Sequence, residues 1–127
     1  MSSKLRGFRG AITVETDTEE NIISATERLV REMIAQNGIK ADDVASVWMT
    51  MTEDLVSAFP AKALRNIEGW KYVPVMCSRE IPVPGSLPKC IRVMMHVHTT
   101  KAQDEIVHVY LEKAKCLRPD LNLTVKE

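Results

Sequence analysis

The N-terminal residues alternate between apolar and polar side chains, as in a half-buried strand. From Leu5 to Glu15, one face carries Phe8, Ile12 and Val14. The opposite face carries Arg9, Ala11 and Thr13. This period of two predicts the first strand of a sheet.

The next segment changes to the helical period. Apolar positions recur every three or four residues, which predicts an amphipathic helix. Asp17 and Glu20 have the spacing of a capping box, so the helix should begin near Thr18, and Gly38 should end it. The predicted buried face comprises Ile22, Thr26, Leu29, Val30, Met33 and Ile34.

A second strand and a short helix follow. Between Val44 and Thr52 the apolar residues alternate again. One predicted face holds Ala45, Val47, Met49 and Met51, and the other holds Ser46, Trp48 and Thr50. Pro60 suits the first position of a short helix, because its missing N–H costs nothing there, and Gly69 should end that helix.

Two further strands are predicted on either side of a proline-rich loop at 82–88. The first runs from Tyr72 to Ile81, and Pro74 confines its start to a sheet edge or an irregular site. The second runs from Lys89 to Thr99, with Ile91, Val93, Met95 and Val97 on one face and Arg92, Met94, His96 and His98 on the other. Residues 102–117 mix helical and strand patterns and are left open.

These elements predict a single α/β (α+β) domain over residues 1–127, with a polar, mobile tail at 119–127. The mixed sheet should have about five strands, with one long and one short helix on one face. The other face then needs a partner, which favours self-association.

Charge and cysteine content narrow the possible partners and location. Lys+Arg and Asp+Glu both number 17, so no overall field favours nucleic acid. No apolar stretch approaches the roughly 20 residues that cross a bilayer, and no signal peptide opens the chain. Three widely spaced cysteines fit neither a disulfide framework nor a zinc motif, which favours the cytoplasm.

Arg92 is the residue that most strongly suggests chemistry. It interrupts an apolar run, and a guanidinium keeps its charge when buried, so it needs an anionic partner. The partner is either an internal carboxylate such as Glu80 or a bound anion, and the sequence leaves both open. Arg9 lies between Gly7 and Gly10, which would let a ligand approach the backbone closely.

Other candidate residues are less specific. Glu80, Tyr110 and Cys77 each have an ordinary structural explanation. His96 and His98 project from one strand face and could bind a metal, but no third ligand has a diagnostic spacing. There is no phosphate loop, dinucleotide fingerprint or serine nucleophile elbow, so an enzyme of this sequence would act by binding and electrostatics.

Taken together, six motifs resemble the trimeric α/β (AroH) class of monofunctional chorismate mutases along nearly the whole chain. They occupy residues 6–11, 59–63, 69–75, 89–95, 108–113 and 117–121, namely RGFRGA, FPAKA, GWKYVPV, KCIRVMM, HVYLEK and LRPDL. The resemblance implies a pseudo-α/β-barrel homotrimer with sites between subunits. It also implies an isomerase of the shikimate pathway that rearranges chorismate to prephenate, without cofactor or metal, in phenylalanine and tyrosine biosynthesis.

The resemblance assigns roles within that Claisen rearrangement. Arg92 would stabilise charge on the ether oxygen, Arg9 and Tyr110 would hold a carboxylate, and Glu80 would accept from the ring hydroxyl and position Arg92. Cys77 would bind near that hydroxyl. The apolar walls would be Phe59, Ala61, Val75 and Leu117, and the cations at the mouth would be Lys62, Arg65 and Arg118.

Two features depart from this scheme, and three other functions stay open. Cys77 and Glu80 would point to opposite faces of a regular strand, so a shared site requires a bulge, a bend or a backbone contact from Cys77. Met76 replaces the small polar residue expected in this family, which leaves Met76 a backbone role.

The alternative functions are a trimeric imine or enamine deaminase of similar fold, a non-catalytic anion-binding module, and a metal enzyme using His96 and His98.

Overall fold

The structure is a computed structural model that describes residues 2–117. Arg118 and the tail predicted at 119–127 lie outside the described residues. Residues 2–117 contain five strands: β1 (Lys4–Thr13), β2 (Val44–Met51), β3 (Val75–Arg79), β4 (Cys90–Thr99) and β5 (Val109–Tyr110). They also contain one α-helix, α1 (Glu19–Asn37), and 3-10 helices at Ala41–Asp43, Pro60–Asn66, Gln103–Glu105 and Glu112–Cys116.

The strands form one mixed sheet in the order β3-β2-β4-β1-β5. The central strand β4 pairs antiparallel with β1 and with β2. The edge strands are parallel to their neighbours, β3 to β2 and β5 to β1. The predicted mixed sheet of about five strands is therefore confirmed, and the ambiguous segment 102–117 supplies the fifth strand between two 3-10 helices.

One face of the sheet packs against α1 and forms the core. The predicted alternation of β4 is confirmed, since Ile91, Val93, Met95 and Val97 are all buried. The prediction for Ala45 is wrong, because a bulge between Val44 and Ser46 shifts the register, so that Val44 is buried and Ala45 is exposed.

Gly10 serves the packing of α1 against the sheet. A Cβ atom there would lie 2.6 Å from the Sδ of Met33 and 3.0 Å from Cδ1 of Leu29. A glycine at this point of β1 therefore lets the helix approach closely. Helix packing on the core face therefore explains why residue 10 is a glycine. The approach of a ligand on the Arg9 face is not needed to explain it.

The N-terminus of α1 differs in detail from the predicted capping box. Thr18 is the N-cap, and its hydroxyl accepts a hydrogen bond of 3.1 Å from the backbone N–H of Asn21. Gly38 ends the helix in the left-handed conformation with φ 64°, as predicted. The helix begins next to Thr18 as predicted, but Asp17 is not its cap.

Asp17 instead anchors the loop that follows β2. Its Oδ1 accepts hydrogen bonds from the backbone N–H groups of Val56 at 3.1 Å and Ser57 at 3.2 Å. The hydroxyl of Ser57 donates to the backbone carbonyl of Asp17 in return. The start of α1 is thereby connected to the segment that leads into Phe59.

We expect Asp17→Ala to lower the free energy of unfolding by about 1 kcal/mol, because it removes the acceptor of two backbone donors in a partly exposed place. Asp17→Asn keeps an acceptor oxygen and should lose less than half of that. Urea unfolding of the three proteins measures the difference. Equal losses in both variants would show that the carboxylate charge, and not the paired N–H groups, is what matters.

The other helical and strand predictions are confirmed with shorter bounds. The short helix is a 3-10 helix that starts at Pro60 but ends at Asn66, before Gly69. The third strand begins after Pro74 and lies at the sheet edge. Within the described residues, no helix is long and apolar enough to span a membrane.

Residues 2–117 cover the second face of the sheet at one end only. A small cluster of Ala11, Cys90, Tyr110 and Ala114 packs there beneath the last 3-10 helix. Elsewhere this open face exposes large apolar side chains, and the exposed fractions of Leu5, Trp48 and Met76 are 53%, 46% and 61%. The functional candidates lie at the boundary between the covered and open parts.

Candidate active site

The strand registers align polar and charged residues across the open face. One row crosses all five strands through Ser78, Thr50, Arg92, Ala11 and Tyr110, which are paired neighbours in that order. The adjacent row contains Met76, Trp48, Met94 and Arg9. Arg9 and Arg92 are therefore on neighbouring strands and in neighbouring rows, although 83 positions separate them in sequence.

A cleft of about 360 Å³ lies over these two rows. Its polar lining is Arg9, Thr50, Glu80, Arg92 and Tyr110, and its apolar lining includes Trp48, Met94 and Leu117. Two guanidinium groups and one carboxylate line the cleft, so the lining side chains carry an excess of positive charge. Such a cleft is complementary to a small anion with an apolar body.

Arg9 is held from two sides by the segment that forms β5. Its Nη2 donates to the hydroxyl oxygen of Tyr110 at 3.2 Å. Its backbone N–H donates to Nδ1 of His108 at 3.0 Å. The guanidinium is thus fixed by an uncharged partner, which leaves its charge available to a ligand.

Arg92 and Glu80 form a loose ion pair. The Nε of Arg92 lies 3.7 Å from Oε1 of Glu80, which exceeds hydrogen-bond length. The Arg92 side chain is 44% exposed and that of Glu80 is 24% exposed in the single chain. The two partners considered for Arg92, an internal carboxylate and a bound anion, can therefore coexist. Arg92 has Glu80 as a neighbour, and its guanidinium can still reach a bound anion.

Cys77 lies outside this cleft. It faces the core side of the sheet, opposite Met49 on β2, whereas Glu80 follows the end of β3 and faces the Arg92 side. The strand parity noted in the sequence thus has a direct consequence. Within one chain, Cys77 and Glu80 line two different clefts.

The second cleft has a volume of about 520 Å³ and lies between β3, the loop after β2 and the start of α1. Of the predicted site residues, it is lined by Phe59, Lys62 and Cys77. Lys62 pairs with Glu19 at 2.8 Å, and this contact lowers the pKa of the Glu19 carboxyl. Ala61, Arg65 and Val75 are on the same elements but do not line the cleft.

Cys90 and His96 have structural surroundings. Burial raises the pKa of the Cys90 thiol to about 11, even though Arg92 opposes the shift, so this thiol is protonated at neutral pH. His96 Nδ1 lies 3.2 Å from the hydroxyl of Ser46. Across residues 2–117, no three His, Cys, Asp or Glu side chains are grouped as metal ligands.

Sequence reasoning did not identify Trp48, Thr50 and Met94 as cleft residues. Alternation on β2 and β4 correctly placed them on the faces opposite Val47, Met49, Val93 and Met95. What the alternation could not supply was the register, which places Thr50 beside Arg92 and Trp48 beside Met94.

Comparisons with known proteins identify the family. The sequence model of the family described as chorismate mutase type I matches residues 5–121. The chain is 54% identical to chorismate mutase AroH of Bacillus subtilis over 120 residues, which cover 94% of each protein. It is 53% identical to chorismate mutase AroH of Thermus thermophilus over 118 residues, covering 92% of this chain and 96% of the relative.

A solved structure supports the same family assignment. The fold matches a chorismate mutase from Clostridium thermocellum with a TM-score of 0.84 and 51% sequence identity, over 87% of this chain and 97% of the other. The similarity extends over nearly the full length in both sequence and fold. This chain belongs to the type I chorismate mutase family.

Proposed function

We propose that this isomerase rearranges chorismate to prephenate by holding the substrate in its reactive conformer and stabilising charge on the breaking ether bond. The observation that carries the proposal is that Arg9 and Arg92 line the same cleft, together with a single carboxylate, that of Glu80. A concerted rearrangement needs no nucleophile and no proton transfer. Fixed cations and a shaped cavity are sufficient for it.

The geometry supports roles for four of the polar residues that line the cleft. Arg92 is half-exposed and loosely paired, so its guanidinium can donate to the ether oxygen and a substrate carboxylate. Arg9, fixed by Tyr110, binds a carboxylate together with that hydroxyl. Glu80 accepts from the ring hydroxyl, and Leu117 forms an apolar wall of the same cleft.

We further propose that the complete site forms between subunits of a homotrimer. The two clefts divide the expected substrate contacts, since Arg9, Glu80 and Arg92 line one and Cys77 and Phe59 line the other. An interface that joins different surfaces of adjacent subunits can place one cleft against the other in every copy of a closed ring. It would also cover the exposed Trp48 and Met76.

The residues around the second cleft complete this arrangement. Phe59, Ala61 and Val75 would supply apolar contacts from the neighbouring subunit, and Cys77 would contact the ring hydroxyl. Lys62 and Arg65 would attract the dianion to the mouth, and Arg118 is proposed to join them. The three cysteines, none in a disulfide, support a reducing location such as the cytoplasm.

The direct test is to incubate purified, chelator-treated protein with chorismate and follow its disappearance and the formation of prephenate. Saturable turnover supports the proposal. Hydrolysis of an enamine acid without prephenate formation would instead select the deaminase of similar fold. Binding without turnover would select the anion-binding module, and loss of activity on chelation would favour a metal enzyme.

A second expected result concerns pH. We expect kcat to be flat around neutrality, because no group has to gain or lose a proton during the rearrangement. Initial rates with saturating chorismate across a series of buffers of equal ionic strength measure this. A steep bell-shaped profile would contradict the mechanism and indicate acid–base chemistry.

A further inference from the structure

Thr50 occupies the centre of the proposed site without an assigned role. It lies near the C-terminal end of β2, on the open face, between Ser78 of β3 and Arg92 of β4. Its hydroxyl donates to Oε1 of Glu80 at 2.5 Å, a length typical of a hydroxyl bound to a charged carboxylate.

The same carboxylate oxygen faces both Thr50 and Arg92. Arg92 Nε is 3.7 Å from Oε1, so the Thr50 hydroxyl is the closer of the two donors. Within residues 2–117, no hydrogen bond to Oε2 of Glu80 is formed, which leaves that oxygen for a further donor. The backbone N–H of Glu80 is fixed as well, through a 2.9 Å bond to the carbonyl of Met51.

We propose that Thr50 is a positioning residue that holds the Glu80 carboxylate away from Arg92. This inference rests on the proposed rearrangement, because it concerns how Arg92 is kept available to substrate. Without the hydroxyl, nothing from β2 opposes collapse of Glu80 onto Arg92 into a close, fork-like ion pair. Such a pair would occupy the guanidinium donors that the ether oxygen and the substrate carboxylate require.

The residue type suits this task. A threonine is branched at Cβ, and in a strand its χ1 angle is restricted, so the hydroxyl is directed with little loss of side-chain entropy. Its neighbours on both sides are paired strands, which makes its position more rigid than that of Glu80. Glu80 lies just after the end of β3, and although its backbone N–H is bonded to Met51, its longer side chain has more rotatable bonds than that of Thr50.

The test compares variants that remove or keep the hydroxyl. We expect Thr50→Val to lower kcat/KM for chorismate by about 10- to 100-fold, the range expected for losing a hydrogen bond to a charged group. Thr50→Ser keeps the donor and should stay within about threefold of wild type. Ser46→Ala is the matched control, because it removes another hydroxyl from the same face of β2, one that contacts His96 outside the cleft.

A double-mutant cycle with Glu80→Asp separates positioning from a structural role. The shorter side chain takes the carboxylate out of reach of Thr50 while keeping the charge, so adding Thr50→Val should cost less than about twofold. Rates are measured in single turnover with enzyme in excess. A full loss from Thr50→Val in the Glu80→Asp background, or wild-type activity of Thr50→Val alone, overturns the inference.

The two proposals fail in different ways. If the wild-type protein does not convert chorismate, the proposed function fails before any variant is compared. If the wild type is active and Thr50→Val is equally active, only the role of Thr50 is lost. A similar loss in Ser46→Ala would also overturn it, since that hydroxyl does not contact Glu80.

Discussion

Arg92→Lys is expected to lower kcat by about 10²–10³-fold or more, the scale for removing one preorganised donor from a site of developing charge. Lysine keeps the positive charge but has a single tetrahedral nitrogen in place of the planar fork. It therefore cannot serve a substrate carboxylate and the ether oxygen with separate, fixed donors. Steady-state rates of chorismate disappearance measure the effect.

The fold should survive this change, which makes the loss attributable to chemistry. Arg92 is on the open face, with its side chain 44% exposed in the single chain. Arg31→Lys is the matched control, because Arg31 forms an exposed ion pair with Glu27 on α1, away from the cleft. Near-normal turnover of Arg92→Lys would contradict the proposed electrostatic mechanism.

Mixing two inactive variants is expected to restore activity if each site is shared between subunits. Arg92→Ala disables the first cleft, and Phe59→Glu places a carboxylate in the second, where it would repel a dianion. Phe59 is 71% exposed in the single chain, so the change should not disturb the core. Each variant alone should have almost no activity.

In a ring of mixed subunits, some sites receive an intact first cleft from one chain and an intact second cleft from its neighbour. Random assembly from equal amounts gives about one quarter of the wild-type number of such sites. Co-refolding the two variants and assaying chorismate turnover measures this. If a mixture that has demonstrably exchanged subunits stays inactive, the site lies within one chain and the proposed arrangement is wrong.

The local pattern was sufficient where a single period governs a segment. On β4 the four apolar side chains from Ile91 to Val97 are buried, and Arg92 faces the other way, because side chains must alternate on a paired strand. The left-handed C-terminal end of α1 at Gly38 was also predicted correctly from the sequence. The prediction failed at the start of α1, where both Asp17 and Thr18 could have capped the helix. Thr18 is the cap, and the Asp17 carboxylate instead binds the distant loop at Val56.

The candidate site was predicted only in part, because the neighbours of a residue across the sheet are not encoded in the local sequence. Arg92 and Arg9 were singled out from the local sequence, whereas Glu80 and Tyr110 received their site roles from the resemblance. The structure brings all four to one cleft. Thr50 was missed, because its importance depends on being opposite Arg92 in the β2–β4 register. A register depends on pairing between strands some 40 residues apart, which no local pattern encodes.

The sequence by itself determined the long helix, the first four strands, most of their alternating faces and the family to which the chain belongs, since periodicity and motif order are properties of the chain alone. Only the tertiary structure decided that Arg9 and Arg92 are neighbours, that Thr50 donates to Glu80, and that Cys77 lines a separate cleft. The physical reason is that these relations come from strand order and register. Both depend on pairing between strands that are distant in the sequence.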